Sequence, residues 1–107
     1  MTGIALVYAV YPDGDAARAA ADLAVGQRLA ACANILAPCQ SVYRWDGAVT
    51  RAQEVPVLFK TSAGQQDALI AALAQAHPYD VPALVGWPLT AAHAPFAEWI
   101  ATETGAP

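Results

Sequence analysis

The dipeptide Asp46-Gly47 limits what this chain can fold into more than any other feature of it. It sits within residues 41–61, SVYRWDGAVTRAQEVPVLFKT, between two runs of β-favouring residues. A type I′ turn needs positive φ at both central positions, and Asp-Gly tolerates this, so alternating apolar residues on each side predict a β-hairpin. The first arm is 41–45. The second begins at 48–50 and resumes at 55–59, giving one long hairpin in mid-chain. Tyr43 and Trp45 lie two apart on the first arm, so both rings point to one face. Pro56 conflicts with a central strand because it lacks the ladder donor. That position should face an unpaired edge or carry a bulge.

The segments around the hairpin read in order. Residues 4–10, IALVYAV, form a continuous apolar run, the pattern of a central strand covered on both faces. Pro12-Asp13-Gly14-Asp15 is turn chemistry, and Asp13 or Asp15 can cap the helix predicted over 16–31. Alanine fills so much of that helix that Leu23, Val25 and Leu29 are its bulky guides. Residues 32–36 look extended, and Pro38 interrupts them before the hairpin. Ser62 with Gln65 reads as a capping box opening a second helix. Leu69, Ile70, Leu73 and His77 share one face of it, and Pro78 ends it. Residues 77–82, HPYDVP, form a stiff linker. Residues 83–87 form a last strand, and Pro95 opens a short terminal helix with Phe96, Trp99 and Ile100 on one side. Residues 102–107 carry no structural signal.

The order is β-α-β-β-α-β plus a C-terminal helix. This is an α+β, ferredoxin-like antiparallel sheet with a long central hairpin, covered by helices on one face. At 107 residues the chain is a single domain over 1–107. Apolar residues make up 57% and charged residues only 13%, against a usual share of about a quarter. So few charges, together with an apolar second sheet face, point to surface buried against another subunit. An alanine-rich composition is the other reading.

The net charge is −4, and the five basic residues stand singly at Arg18, Arg28, Arg44, Arg51 and Lys60. With no basic stripe, nucleic acid is not an expected partner. No stretch reaches the length of a membrane span, and the N-terminus lacks the charged start of a signal peptide. Cys32 and Cys39 do not make a disulfide framework, so the expectation is a cytoplasmic protein with reduced thiols.

Several blocks together resemble the CutA family of divalent-cation tolerance proteins. They are Arg28-Leu29-Ala30-Ala31-Cys32-Ala33-Asn34-Ile35, Ser41-Val42-Tyr43-Arg44-Trp45-Asp46-Gly47, Glu54-Val55, Lys60-Thr61 and His77-Pro78-Tyr79-Asp80-Val81-Pro82. The resemblance implies a homotrimer shaped like the PII signalling proteins, with hairpins reaching across subunit boundaries. It also implies a link to copper and other divalent metals, and no enzymatic reaction. Three departures stand out. Ala48 replaces a usual lysine after the turn, Gln53-Glu54 replaces paired glutamates, and Ala83 replaces a glutamate after the Val-Pro pair. The last change removes a carboxylate from the implied inter-subunit cleft.

The cleft candidates are Cys32, Tyr43, Trp45, Lys60, His77 and Tyr79. Cys32 and His77 are the candidate ligands for copper or another divalent metal, as a thiolate and an imidazole suit it. Two ligands fall short of a closed site. A cysteine after an alanine-rich helix also reads as a small core residue, and His77 as a helix-capping residue whose imidazolium meets the helix dipole. Lys60 is placed to hold an anion, to pair with Glu54 or Asp80, or simply to end its strand. His93 reads as surface. Tyr43 and Trp45 read as aromatic packing across a subunit boundary.

Three functions follow. The first is a non-catalytic homotrimer of copper and divalent-metal tolerance, binding a metal ion or small ligand between subunits. The second is a trimeric signalling or interaction protein in the manner of PII. The third is an enzyme with Cys32 as nucleophile and His77 as base, which lacks a third group to orient the histidine.

Overall fold

The computed structural model describes residues 2–105; Met1, Ala106 and Pro107 lie outside them. Strand β1 is Ile4–Tyr11, helix α1 Gly14–Gly26, β2 Cys32–Ile35, β3 Cys39–Trp45 and β4 Ala48–Ser62. A short 3-10 turn, Ala63–Gln65, leads into α2, Gln66–Ala76; β5 is Leu84–Pro88 and α3 Ala94–Glu103. The five strands form one sheet in the order β2-β4-β1-β5, with β3 also paired to β4, and every pairing is antiparallel. The ferredoxin-like expectation is met.

The turn chemistry behaves as the sequence requires. Asp46 and Gly47 have φ of 51° and 79°, and Trp45 pairs directly with Ala48 across the two-residue loop. The two halves of the first arm, β2 and β3, are separate strands because Pro38 falls between them, yet both pair with the unbroken β4. The hairpin stretches the molecule to 44 × 25 × 23 Å.

Pro56 sits neither at a free edge nor in a bulge. Ala63 N–H donates to Gly3 O, so hydrogen-bonded rungs between β1 and β4 fall on alternate pairs from there, and Val10–Pro56 is a rung that needs no donor. On its other side Pro56 O accepts from Leu36 N–H at 2.9 Å. The only donor it lacks would have gone to the last rung of β2, just before the break at Pro38.

Asp13 caps α1, its Oδ1 accepting Ala16 N–H at 2.8 Å. The helix ends at Gly26, five residues before the predicted end, because Arg28 turns left-handed at φ 60° and Leu29 and Ala30 N–H close back on Ala24 O. Its buried face is Ala17, Ala20 and Ala24, while Val25 is exposed. The small residues, not the bulky ones, mark where the helix lies close on the sheet. The Ser62–Gln65 capping box does not form; the Ser62 hydroxyl bonds the Thr104 hydroxyl at 2.9 Å instead.

The core lies between one sheet face and two helices. Val7, Ala9 and Tyr11 of β1 and Val55, Val57 and Phe59 of β4 pack with the α1 alanines and with Leu69 and Leu73 of α2. Strand alternation turns Ile4, Leu6, Tyr8 and Val10 to the opposite face. There α3 covers only the Ile4 end, through Ile100 with Leu89, Phe96 and Ala97 packed alongside. Arg28 ties α3 down: its guanidinium donates to Gly105 O at 3.0 Å and Thr102 O at 2.8 Å. Thr104 and Gly105 are therefore structured, although no local sequence signal marks them. No helix of the described residues is long and apolar enough to cross a membrane.

Candidate ligand cleft

The open sheet face and the root of the hairpin enclose a cleft of about 470 Å³. Strand β1 contributes Tyr8 and Val10, β3 contributes Ser41, Tyr43 and Trp45, and β4 contributes Glu54. The stiff segment after α2 closes it with Tyr79, Val81 and Ala83. The hairpin register explains the grouping. Opposed residues share a face, so Trp45–Ala48, Tyr43–Thr50, Ser41–Ala52 and Cys39–Glu54 put Glu54 on the same side as the two rings.

Glu54 is 6% exposed and is the cleft's only carboxylate. Tyr79 OH donates to its Oε2 at 2.9 Å. Burial first, and then the hydrogen bond and charge of Glu54, push the Tyr79 phenol up to about 12. Burial also raises Tyr8, with Cys39 and Glu54 acting in the same direction. Both phenols stay neutral at physiological pH, and that of Tyr79 acts as a donor. No arginine or lysine answers Glu54: among the described residues the ion pairs are Arg18–Asp15 and Arg28–Glu103. Ala83 does line this cleft, so the glutamate usual to the resembled family would have added a second carboxylate here.

His77 stands behind Tyr79. Its Nδ1 accepts Tyr79 N–H at 3.1 Å, which fixes the proton on Nε2, and Nε2–H donates to Val10 O at 2.8 Å. The ring stacks on Tyr11 at 4.5 Å and meets Tyr79 at 4.9 Å. Both nitrogens are used within the chain, and the ring locks the segment that carries Tyr79 to β1.

Cys32 and Lys60 lie elsewhere. They face each other across β2 and β4. The Lys60 ammonium donates to Asn34 Oδ1 at 2.5 Å and sits 5.9 Å from the Phe96 ring centre, so it pairs with neither Glu54 nor Asp80. Cys32 is half-buried; burial raises its thiol and Lys60 pulls it partly back. Val10, which holds His77, pairs with Pro56, four residues along β4 from Lys60. Strand rise alone offsets the two by roughly 13 Å along the sheet, and β4 lies between β2 and β1 across it. One chain therefore forms neither a shared metal site nor a nucleophile–base pair from them. No group of three histidine, cysteine, aspartate or glutamate side chains able to hold a metal occurs among the described residues. His93 is exposed, as expected.

Of the six candidates, then, Tyr43, Trp45 and Tyr79 meet in the cleft, His77 supports it, and Cys32 and Lys60 pair away from it. Sequence reasoning missed Tyr8 and the central place of Glu54. The register arithmetic of the Asp-Gly turn was signal enough for Glu54. For Tyr8 nothing in a uniformly apolar run distinguishes the two faces.

The family model described as CutA1 divalent ion tolerance protein matches residues 5–103. A divalent-cation tolerance protein CutA from Thermus thermophilus is 35% identical over 100 residues, covering 94% of this chain and 97% of that protein. The crystal structure of CutA from Xylella fastidiosa superposes with a TM-score of 0.93 at 32% identity, over 96% of this chain and 99% of that one. The structure of a periplasmic divalent cation tolerance protein CutA from Archaeoglobus fulgidus superposes with a TM-score of 0.87 at 26% identity, over 91% and 94%.

Proposed function

Since the chain belongs to the CutA1 divalent ion tolerance family, we propose that it serves divalent-metal tolerance as a non-catalytic homotrimer, with the aromatic cleft as a ligand site at the boundary between subunits. The observation that carries the reading is the unpartnered apolar surface. Val85 and Trp87 on the open face are 54% and 41% exposed, and Val42, Trp45 and Val49 on the hairpin 55%, 56% and 62%. A lone chain gains nothing by leaving these in water, and closed symmetry buries them all at once. Light scattering on the purified protein tests it: a mass of three chains is expected, and a monomer at working concentration sinks the trimer and the boundary cleft together.

In this reading a copper or other divalent ion is cargo, not a resident cofactor. Cys32 is the donor available to it, because both His77 nitrogens are occupied within the chain. Calorimetry with copper should lose binding in Cys32→Ala and keep it in His77→Ala. Equal binding in wild type and Cys32→Ala removes the copper part and leaves the assembly standing. The thiols Cys32 and Cys39 are both free, which suits the cytoplasm. Fractionation that recovers the protein outside the cytoplasm would refute that placement.

A further inference from the structure

We infer that the cleft takes a small organic cation, an alkylammonium or alkylguanidinium, with its charge against Glu54 and its carbon body against the surrounding rings. This names the ligand class of the site proposed above; it rests on the cleft of one chain and not on the trimer.

The argument begins with Glu54. A carboxylate 6% exposed loses most of its hydration, and a buried charged group is costly unless something answers it. Here one phenol donates to one oxygen, and no cation of the described chain comes near. The cleft is thus short of one positive charge.

The walls say which kind. Tyr8, Tyr43, Trp45 and Tyr79 line the same cleft as the carboxylate, Tyr79 in direct contact with it, and aromatic faces attract cations through their quadrupoles, tryptophan most strongly. A hard metal ion needs several oxygen ligands, or a set of thiols and imidazoles, and the cleft offers a single carboxylate. A weakly hydrated organic cation needs one counter-charge and apolar surface, and both are present. The volume of about 470 Å³ lies in the range of small-molecule sites and is far larger than a bare ion requires. The segment bearing Tyr79 is held to β1 through His77, so this part of the cage is formed before any ligand arrives.

The test is calorimetry on the intact protein with choline, butylguanidinium and the uncharged carbon isostere of choline, dimethylbutanol. Both cations should bind, and dimethylbutanol at least about tenfold more weakly. Glu54→Gln keeps an oxygen for the Tyr79 hydroxyl, so the fold survives, and it should weaken choline by about tenfold or more. Trp45→Ser should also weaken it. Equal binding of choline and dimethylbutanol, or unchanged choline binding in Glu54→Gln, overturns the inference. So does binding that emerges only in Arg44→Ser or Arg51→Ser, since the guanidinium of a second copy would then be the native occupant. Light scattering on the same samples separates the two readings: a trimer that ignores both cations ends this inference alone.

Discussion

The two faces of the sheet are built from the same strands and are almost equally apolar, yet they end in opposite circumstances. On one, Val7, Ala9, Val57 and Phe59 are completely covered by α1 and α2. On the other, Leu6, Tyr8 and Leu58 remain half-buried, and α3 shields only the end near Ile4. Hydrophobic sequence therefore specifies that a strand will be sandwiched, and the chain's own helices supply just one of the two layers. The covered face stabilises the fold. On the function proposed above, the open face with its cleft serves assembly and ligand.

The sharpest break of this comparison pairs one substitution from each face. Phe59→Ala, in the covered core, should cost about 3–5 kcal/mol of unfolding free energy in a denaturant titration. Val85→Asp, on the open face, should leave the far-UV circular dichroism of the folded chain unchanged while lowering the mass seen by light scattering. If Phe59→Ala proved mild, the core would lie elsewhere. If Val85→Asp kept the wild-type mass, the open face would not be an interface.

How much of this was legible depends on what kind of signal each part rests on. The turn of the hairpin was legible, because turn geometry is local and Asp46-Gly47 admits few alternatives, whereas the unbroken run of β4 through Pro56 was not. Glu54 was legible in principle, since a two-residue turn fixes the register and register fixes the face. The end of α1 was not: a left-handed Arg28, without glycine at that position, is imposed by its contacts with residues 102–105, far along the chain. His77 showed the same limit. Its place on the helix face was readable, but the carbonyl and amide that occupy its two nitrogens belong to Val10 and Tyr79, and only the folded sheet brings the first of them near. The separation of Cys32 from His77 is likewise a matter of sheet register, which two isolated motif matches do not carry.

Arg28 gives a second, smaller way to probe the open face. Its guanidinium holds two carbonyls at the end of α3 and adds a partly exposed ion pair with Glu103 at 3.7 Å. Arg28→Ala should cost about 1.5–3 kcal/mol, nearly all from the charged hydrogen bonds. Hydrogen exchange should speed up in α3 first, ahead of α1 and α2. Uniform acceleration would mean that α3 is not a separable cover over the Ile4 end.

The smallest effect separates two tyrosines, both pushed up to about 12 first by burial, whose hydroxyls differ in their partners. Tyr11, on the covered face, is raised by burial alone, and its hydroxyl has no hydrogen-bond partner among the described residues. Tyr79 has a partner in Glu54. Removing an orphaned hydroxyl relieves a desolvation cost, so Tyr11→Phe should stabilise the fold by about 1 kcal/mol, whereas Tyr79→Phe should destabilise it by a similar amount. Both phenols hold their protons more tightly in the folded state. Their favourable linkage is complete below the ordinary tyrosine value near 10 and is lost as pH climbs through about 12. Phenolate absorbance should accordingly show late ionisation that each Phe substitution reduces by one group. The stability changes, opposite in sign, then distinguish a phenol tolerated by the covered face from one employed by the cleft; a destabilised Tyr11→Phe would reveal a partner for that hydroxyl and erase the contrast.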